Sequence, residues 1–287
     1  MSRYLRRWRA DPLGAGLRTL LWLGLAVGAV AMAFPLFWML SGSLKTDREI
    51  YSVPITWLPA RPEFHSFSEA IRLAHLDHAF LNSLIVTLPT VVTSLFFCSL
   101  AGYALAKFKH PGLDLVFYGV LMMMMVPFTV ILTPLYVIVR DLHLLDTYPG
   151  LMIPRLISAF GVFLFRQTMM SIPDDLINAA VVDGCGEFDI YRKIALPLST
   201  PAIAAMAILS FQWAWNDFLW PLMVSNSVFT RTVPLAVSIF QGTSEQGATP
   251  YNQLMAAATI ALMPLIIAFI VAQRYFVQSM ALSGIKG

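Results

Sequence analysis

The sequence predicts an all-α integral membrane protein with six transmembrane helices. Hydrophobic residues make up 58% of the 287 residues and charged residues only 12%, whereas a soluble domain has about 45–50% apolar and about 25% charged residues. The apolar residues also fall into stretches of about 20, the length that crosses a bilayer. So few charged side chains could not solvate a soluble fold of this size, which excludes a soluble enzyme, a disordered regulator and a nucleic-acid-binding protein.

Six stretches poor in charge are the expected spans. In chain order they are residues 19–41, 83–106, 113–139, 149–170, 201–224 and 256–277. Arg3, Arg6, Arg7 and Arg9 precede the first stretch, as they would in a signal peptide. The apolar core of a signal peptide is only about 7–15 residues long, and this stretch is longer. We therefore expect it to be retained as the first helix.

The positive charges predict the orientation. With the N-terminus in the cytoplasm, twelve of the 19 Lys and Arg residues lie in cytoplasmic segments or close to them, and six lie in outer segments. Cytoplasmic segments carry the excess of positive charge in membrane proteins. We therefore expect a multi-pass protein of the plasma (inner) membrane, with both termini in the cytoplasm.

The outer segment 42–82 gives no support for a metal site. Its first half is rich in proline turns, and its second half, from Ser66, has the helical spacing of an interfacial helix. It contains three histidines, but no other feature of the segment supports a metal site.

The two cysteines of the chain, Cys98 and Cys185, are too few for a disulfide framework or a four-ligand zinc site.

Residues 171–203, between the fourth and fifth spans, predict a short cytoplasmic helix-turn-helix. Ser171 is the expected N-cap of its first helix, with Asp174 three residues later, and Gly184 is the expected stop. Glu187 opens the second helix, which we expect to end before Pro197.

The first helix of this loop carries an apolar stripe that needs a partner. Ile177, Ala180, Val181 and Gly184 recur at helical spacing, and short helices are marginally stable alone. The stripe could pack beneath the spans of this chain, or it could dock in a groove of a separate cytoplasmic subunit. Periodicity alone leaves both readings open.

The loop resembles the cytoplasmic EAA loop of ABC importer permeases. That pattern is glutamate, two alanines, three residues, glycine, nine residues and then I-x-L-P. The matching positions are Ala179, Ala180, Gly184, Ile194, Leu196 and Pro197, and Asp183 also fits. Asn178 stands where the family has glutamate, so the ion pair with the ATPase that the family pattern implies is not expected at this position, although an amide can still form hydrogen bonds.

Two other stretches are similar to the carbohydrate branch of that family, which includes maltose and glycerol-phosphate permeases. They are residues 101–108, AGYALAKF, and 215–222, WNDFLWPL. The resemblance implies a type I ABC importer permease with a cytoplasmic coupling helix. Its transmembrane core would be 77–277, preceded by an N-terminal segment, first helix and outer segment in 1–76, and followed by a cytoplasmic tail in 278–287.

The resemblance also implies the partners and the source of energy. They are a second permease subunit, a dimer of ATP-binding subunits, an extracytoplasmic solute-binding protein and the lipid bilayer, with no nucleic acid. The sequence contains no G-x-x-x-x-G-K-[ST] motif, so we expect no P-loop on this chain. This chain would be no enzyme and hold no cofactor, and ATP and magnesium would bind the partner ATPase. The expected cargo is a sugar or a related polyol.

Polar residues in the fifth span suggest a substrate pathway. Trp213, Trp215, Asn216 and Asp217 combine aromatic faces with amide and carboxylate groups, the chemistry that binds sugars. The same residues fit an outer aromatic belt, with Asp217 bonded to a neighbouring helix. An ionisable residue within a span is also a functional hypothesis by itself. The alternative function is therefore an ion-coupled secondary transporter that uses Asp217.

Overall fold

The computed structural model describes residues 12–242 and 250–283, and every regular element in those two ranges is a helix. Outside these ranges lie the last four residues of the predicted tail and the four arginines that precede the first span, Arg3, Arg6, Arg7 and Arg9. In chain order the helices are α1 (Pro12–Ser43), α2 (Asp47–Ile50), α3 (His65–Leu73), α4 (Leu76–Lys107), α5 (Leu113–Met125), α6 (Phe128–Asp141), α7 (Tyr148–Arg155), α8 (Ala159–Met170), α9 (Asp174–Val182), α10 (Glu187–Leu198), α11 (Thr200–Trp215), α12 (Leu219–Val224), α13 (Val233–Gly242) and α14 (Tyr251–Ser283).

The described helices give up to six membrane spans by length and composition. Three are continuous: Gly16–Ser43 within α1, the whole of α4, and Tyr251–Val271 within α14. Three more arise if each sharply bent pair counts as one span. These pairs are α5 with α6, bent by 102°, α7 with α8, bent by 43°, and α10 with α11, bent by 79°. The first, second and sixth predicted spans therefore lie in single helices, and the other three are interrupted.

Proline explains the break in the predicted span 113–139. Helix α5 ends at Met125, and Val126 is extended, with φ −85° and ψ 116°. The residue before a proline is pushed out of the helical region by contact with the proline ring. Pro127 then begins α6 in the N-cap position. Apolar composition predicted one helix across this point, but the backbone preference of the Val126–Pro127 pair divides it.

The prediction of a single helix over 201–224 is wrong. Helix α11 ends at Trp215, and α12 begins only at Leu219. The intervening residues include Asn216 and Asp217, whose short polar side chains compete for backbone hydrogen bonds and favour helix ends. The fourth predicted span is also divided, because Ser158 adopts an extended conformation and caps α8 through the N–H of Gly161.

The described residues belong to two compact units. Of the described residues, 12–70 and 250–260 form the first unit, and 71–242 and 261–283 form the second. In the first unit, Ser66 lies within α3 and its hydroxyl accepts a hydrogen bond from the amide of Asn252 at 3.0 Å. Lys45 is buried, lies 4.5 Å from the centre of the Trp38 ring and donates to the carbonyl of Thr56. Burial lowers the pKa of this lysine.

Helix α4 is the centre of the second unit, and glycines let its neighbours approach it closely. A Cβ atom on Gly102 would lie 2.5 Å from the Cβ of Phe165 in α8. A Cβ atom on Gly161 of α8 would lie 2.8 Å from both Cys98 Sγ in α4 and Met206 Cε in α11. Small residues at such contacts are how membrane helices pack, since lipid provides no hydrophobic drive for association.

Asp146, between α6 and α7, organises the loop that joins α12 to α13. Its carboxylate accepts hydrogen bonds from the N–H groups of Asn226 and Ser227, at 2.9 and 3.0 Å, and from the hydroxyl of Thr230. Burial alone would raise the pKa of Asp146. The three hydrogen bonds outweigh burial and hold this pKa at about 2, so the carboxylate is ionised at neutral pH.

We expect Gly102→Ala to destabilise the second unit by about 1–3 kcal/mol, the usual effect of overpacking, because the new methyl group would meet Phe165 and the Arg166 backbone. Gly119→Ala in α5 is the matched control. A Cβ atom there meets nothing within 4 Å, so the better helix propensity of alanine should leave stability unchanged or slightly raised. Thermal unfolding of the detergent-purified protein measures both. Equal effects at the two sites would contradict the close packing at Gly102.

We expect Asp146 to make the stability depend on pH in the acid range. A carboxylate whose pKa is lowered by folding stabilises the fold above its ordinary pKa, here 3.8, and loses that contribution as the pH falls toward about 2. Net hydrogen-bond energies suggest a contribution of about 1–2 kcal/mol. Melting temperatures measured between about pH 5 and pH 2 should therefore fall more steeply for the wild type than for Asp146→Asn, which keeps an acceptor oxygen but cannot titrate. Parallel curves would contradict this role.

Candidate functional site

The loop between α8 and α11 forms the predicted helix-turn-helix, and its turn is fixed by glycine. Gly184 has φ +82°, a conformation that favours glycine. The N–H of Cys185 bonds the carbonyl of Ala180 at 2.9 Å, and the N–H of Gly184 bonds the carbonyl of Val181 at 3.0 Å. These two bonds are the Schellman arrangement that ends a helix. The stop predicted from Gly184 therefore lies where the sequence placed it.

The two ends of the loop differ from the prediction. Ser171 does not cap α9; it is the C-cap residue that follows α8, and its hydroxyl donates to the carbonyl of Thr168 at 2.7 Å. Pro173 precedes α9 instead. At the other end, α10 does not stop before Pro197 but continues to Leu198. A π-helical turn at Tyr191–Ala195 precedes the proline, and such turns rearrange the hydrogen bonding of a helix, which suits a residue that has no N–H to donate.

The apolar stripe of α9 is partly buried in the protein and partly exposed, so each of the two interpretations that the sequence left open holds for some of its residues. Ala180 is buried and Ile177 packs beside it against residues of α4, α8 and α10. Val181 is 53% exposed. The stripe therefore packs partly on the protein's own helices and partly faces outward.

The predicted docking residues also fall into two groups. Those that are buried or half-buried are Ala180, Ile194 and Leu196, and those that are exposed are Asn178, Ala179, Asp183, Gly184 and Pro197. Sequence reasoning missed three exposed apolar side chains beside the second group: Leu176, Val182, which is 87% exposed, and Phe188. Val182 directly follows Val181 of the stripe, so a search of the neighbouring face of α9 for apolar residues would have identified it.

Three of the four predicted pathway residues line one cavity. Trp213, Asn216 and Asp217 border a space of about 370 Å³ together with Gln212 and Arg155. A second cavity, of about 150 Å³, is lined by Arg155, Trp213 and two hydroxyl residues of α4, Thr90 and Ser94, among others. Arg155 and Trp213 therefore contribute to both spaces.

Trp215 is separated from the other predicted pathway residues. It is almost fully buried, and its indole N–H donates to the carbonyl of Ala261 in α14 at 2.9 Å. Its ring stacks on Phe211 and meets the edge of Phe80. This geometry makes Trp215 a packing residue that joins α4, α11 and α14.

Asp217 is paired with arginine. Its Oδ2 lies 2.7 Å from a terminal guanidinium nitrogen of Arg155 and accepts a second bond from Arg155 Nε at 2.8 Å. The side chain of Asp217 is only 10% exposed. The carboxylate is thus bonded to a neighbouring helix, as one of the two interpretations of the sequence predicted. Because Arg155 occupies it, the carboxylate is not open to a coupling ion. Within residues 12–242 and 250–283, no group of three metal-ligating side chains is close enough to hold a metal ion.

Comparisons with known proteins agree on one family. Residues 98–282 match the family model described as binding-protein-dependent transport system inner membrane component. The chain is 39% identical over 258 residues to AraQ of Bacillus subtilis, an arabinooligosaccharides transport system permease protein, covering 88% of this chain and 90% of that one. It is 32% identical over 263 residues to UgpE of Brucella abortus, an sn-glycerol-3-phosphate transport system permease protein, covering 89% and 93%.

A solved structure has the same fold. It is the crystal structure of a bacterial ABC transporter involved in the import of the acidic polysaccharide alginate. One of its chains matches with a TM-score of 0.81 at 23% identity, covering 93% of this chain and 98% of that chain. The similarity in fold therefore extends over almost the whole length of both.

We expect Arg155→Met to lower the free energy of unfolding by about 3 kcal/mol, because it leaves the buried carboxylate of Asp217 without its cation. The double variant Arg155→Met with Asp217→Asn should be less destabilised than the single variant, since no unpaired charge remains. Arg140→Met is the matched control: its pair with Asp141 is exposed and should contribute less than about 1 kcal/mol. Thermal unfolding in detergent measures all three, and a double variant that is destabilised as much as Arg155→Met, or more, would contradict the pairing.

Proposed function

The chain belongs to the family of binding-protein-dependent transport system inner membrane components, and we propose that it carries a sugar or related polyol in an ATP-driven importer. It is a multi-pass permease subunit of the inner membrane. The proposal adds the cargo, the partner subunits and the orientation, with both termini in the cytoplasm.

The observation that carries the proposal is the two-sided loop formed by α9 and α10. One side is packed into the protein through Ala180 and Ile190, and the other side exposes Leu176, Val182 and Phe188. Three large apolar side chains exposed on one short loop favour a protein interface. In our proposal this exposed side docks on a cytoplasmic ATP-binding subunit, with Asn178 and Asp183 at the rim of the contact.

The proposed complex has four kinds of subunit. This chain pairs with a second permease subunit, two ATP-binding subunits hold ATP and magnesium, and an extracytoplasmic solute-binding protein delivers the cargo. The absence of a P-loop motif from this sequence supports the placement of ATP on a separate chain. Movement of the ATP-binding subunits would then reach the spans through the α9–α10 loop.

The cavity beside Trp213 supports a carbohydrate as cargo. Aromatic and amide groups there can contact the C–H faces and hydroxyl groups of a sugar. The two charged residues among its lining side chains, Arg155 and Asp217, neutralise each other. This pairing favours an uncharged oligosaccharide, the class named for AraQ, over a phosphorylated polyol such as the one named for UgpE.

The alternative of an ion-coupled secondary transporter that uses Asp217 has less support. Its central residue is engaged by Arg155, and the family to which the chain belongs is defined by dependence on a binding protein. No observation on the described residues favours it over the importer.

We expect Val182→Glu to reduce the amount of ATP-binding subunit that co-purifies with the tagged chain by about tenfold, because a buried, unpaired carboxylate would weaken the interface by about 1.4 kcal/mol or more. Val53→Glu is the matched control: it makes the same change at a valine that is 94% exposed and lies in the outer segment between α2 and α3. Mild-detergent purification from the native membrane followed by quantitative mass spectrometry measures both.

The same purification tests the proposed function as a whole. The expected wild-type eluate contains a P-loop ATPase and a second permease chain. A wild-type chain that elutes alone, or only with copies of itself, would contradict the importer. Equal recovery of the ATPase with both glutamate variants would contradict docking through the exposed side of α9.

A further inference from the structure

The last two turns of α4 carry three polar residues that meet the α9–α10 loop. Ser99, Tyr103 and Lys107 are spaced four residues apart, so they lie one above the other on a single face of the helix. Each has a hydrogen-bond partner at a different point of the loop, which attaches the loop to α4 along about 12 Å of helix axis.

Lys107 holds the beginning of α9. Its side chain is only 5% exposed, and its ammonium group donates to the carbonyl of Ile172 at 2.6 Å and to the carboxylate of Asp174 at 2.8 Å. Asp174 is the first residue of α9. The hydrogen bond and the charge of Lys107 lower the pKa of the Asp174 carboxyl, so this contact is ionic at neutral pH.

Tyr103 and Ser99 hold α10. The hydroxyl of Tyr103 donates to the carboxylate of Glu187, the first residue of α10, at 3.1 Å. Ser99 shares a 2.7 Å hydrogen bond with the hydroxyl of Tyr191, at the start of the π-helical turn. The two tyrosine rings lie 5.5 Å apart, and all of Ser99, Tyr103 and Tyr191 are buried.

The same helix reaches the cavity beside Arg155. Thr90 and Ser94 of α4 line the 150 Å³ cavity together with Arg155 and Trp213. Thr90 lies 17 residues before Lys107, about 26 Å along the helix axis. Helix α4 is attached to the loop at one end and lines the cavity further along. A displacement of the loop can therefore be transmitted through α4 to the cavity.

We propose that Ser99, Tyr103 and Lys107 are positioning residues that make α4 move with the α9–α10 loop, so that ATP-driven movement of the loop alters the cavity lined by Thr90. This inference rests on the proposed function, since it takes the loop to be the docking site of an ATP-binding subunit. The exposed loop residues that these bonds do not use, such as Asn178 and Val182, are available for the ATPase contact.

A labelling experiment on the complete importer tests this role without knowledge of the cargo. Thr90→Cys is introduced with Cys98→Ala and Cys185→Ala, and the complex is purified with its partner subunits. A small thiol-reactive methanethiosulfonate reagent then measures access to position 90, with and without ATP and vanadate. In this background we expect the labelling rate to change about tenfold with nucleotide, within the usual range of coupling between sites.

The test variants remove the polar contacts of one or two residues and keep side chains of similar shape in their place. They are Tyr103→Phe, Tyr191→Phe and Lys107→Gln, and the combination of Tyr103→Phe with Lys107→Gln. We expect the combination to reduce the nucleotide response to about twofold or less, while ATP hydrolysis and recovery of the ATP-binding subunit stay within about twofold of the parent. Lys107→Arg, which keeps the charge and can donate to both Ile172 and Asp174, should retain the response.

Two exposed residues provide matched controls. Tyr118→Phe removes a hydroxyl from α5, and Lys109→Gln removes a charge two residues after Lys107. Both should respond to nucleotide like the parent. A combined variant that keeps the full tenfold response would overturn the inference and leave the proposed function standing. A parent complex whose labelling does not change with nucleotide would also overturn the inference, whereas the proposed function fails only if no ATP-binding subunit co-purifies with the chain.

Discussion

The close approach of α4 and α8 at Gly102 and Gly161 is the constraint on which the second unit depends. Both glycines lie where a single added carbon would meet the backbone or the first side-chain atoms of a neighbour. Because a bilayer does not drive apolar helices together, their stability comes from short contacts and from hydrogen bonds between them. The contact at Gly161 also brings in Met206, so α11 is positioned by the same junction that joins α4 to α8.

Helix α4 also buries several small polar residues. Thr90 donates to the carbonyl of Val86 within its own helix at 2.6 Å, which satisfies a hydroxyl that would otherwise be unpaired in an apolar setting. Asn82, nearer the start of α4, donates to the carbonyl of Arg231 and accepts from the hydroxyl of Tyr148. The helix therefore holds α7 and the α12–α13 loop through polar contacts at one end and the α9–α10 loop at the other.

Two ion pairs join helices of the second unit, and one of them lies where two spans are broken. Arg155 ends α7 and pairs with Asp217 at the break between α11 and α12, so one pair fixes two helix ends. Arg166 of α8 lies against the ring of Phe117 and reaches the carboxylate of Asp114 at the start of α5. Charges near a membrane interior are tolerated when they are paired, and here each pair joins two different helices. The broken spans gain a defined geometry that apolar packing alone would not impose.

The sequence by itself determined the class of the protein, the approximate place of six spans and the site of the loop. Composition and the length of the apolar stretches distinguish a membrane protein from a soluble one. The loop could be located because the EAA-like spacing and the left-handed turn at Gly184 are local properties of the chain. The division of the third span was also readable locally, because Val126 precedes a proline. Ser171 was misread because a capping residue can equally end the preceding helix, and local sequence does not distinguish the two.

Only the tertiary structure decided which side chains meet. The partner of Asp217 is 62 residues away in the chain, and the partners of Tyr103 and Lys107 in the loop are 84 and 67 residues away. It also decided that Trp215 is buried while Trp213 lines a cavity, although both lie in the same aromatic segment. Helical periodicity gives the direction of a side chain relative to its own helix, but the surface it contacts depends on how the helices pack, and that packing follows from close contacts such as Gly102 with Phe165.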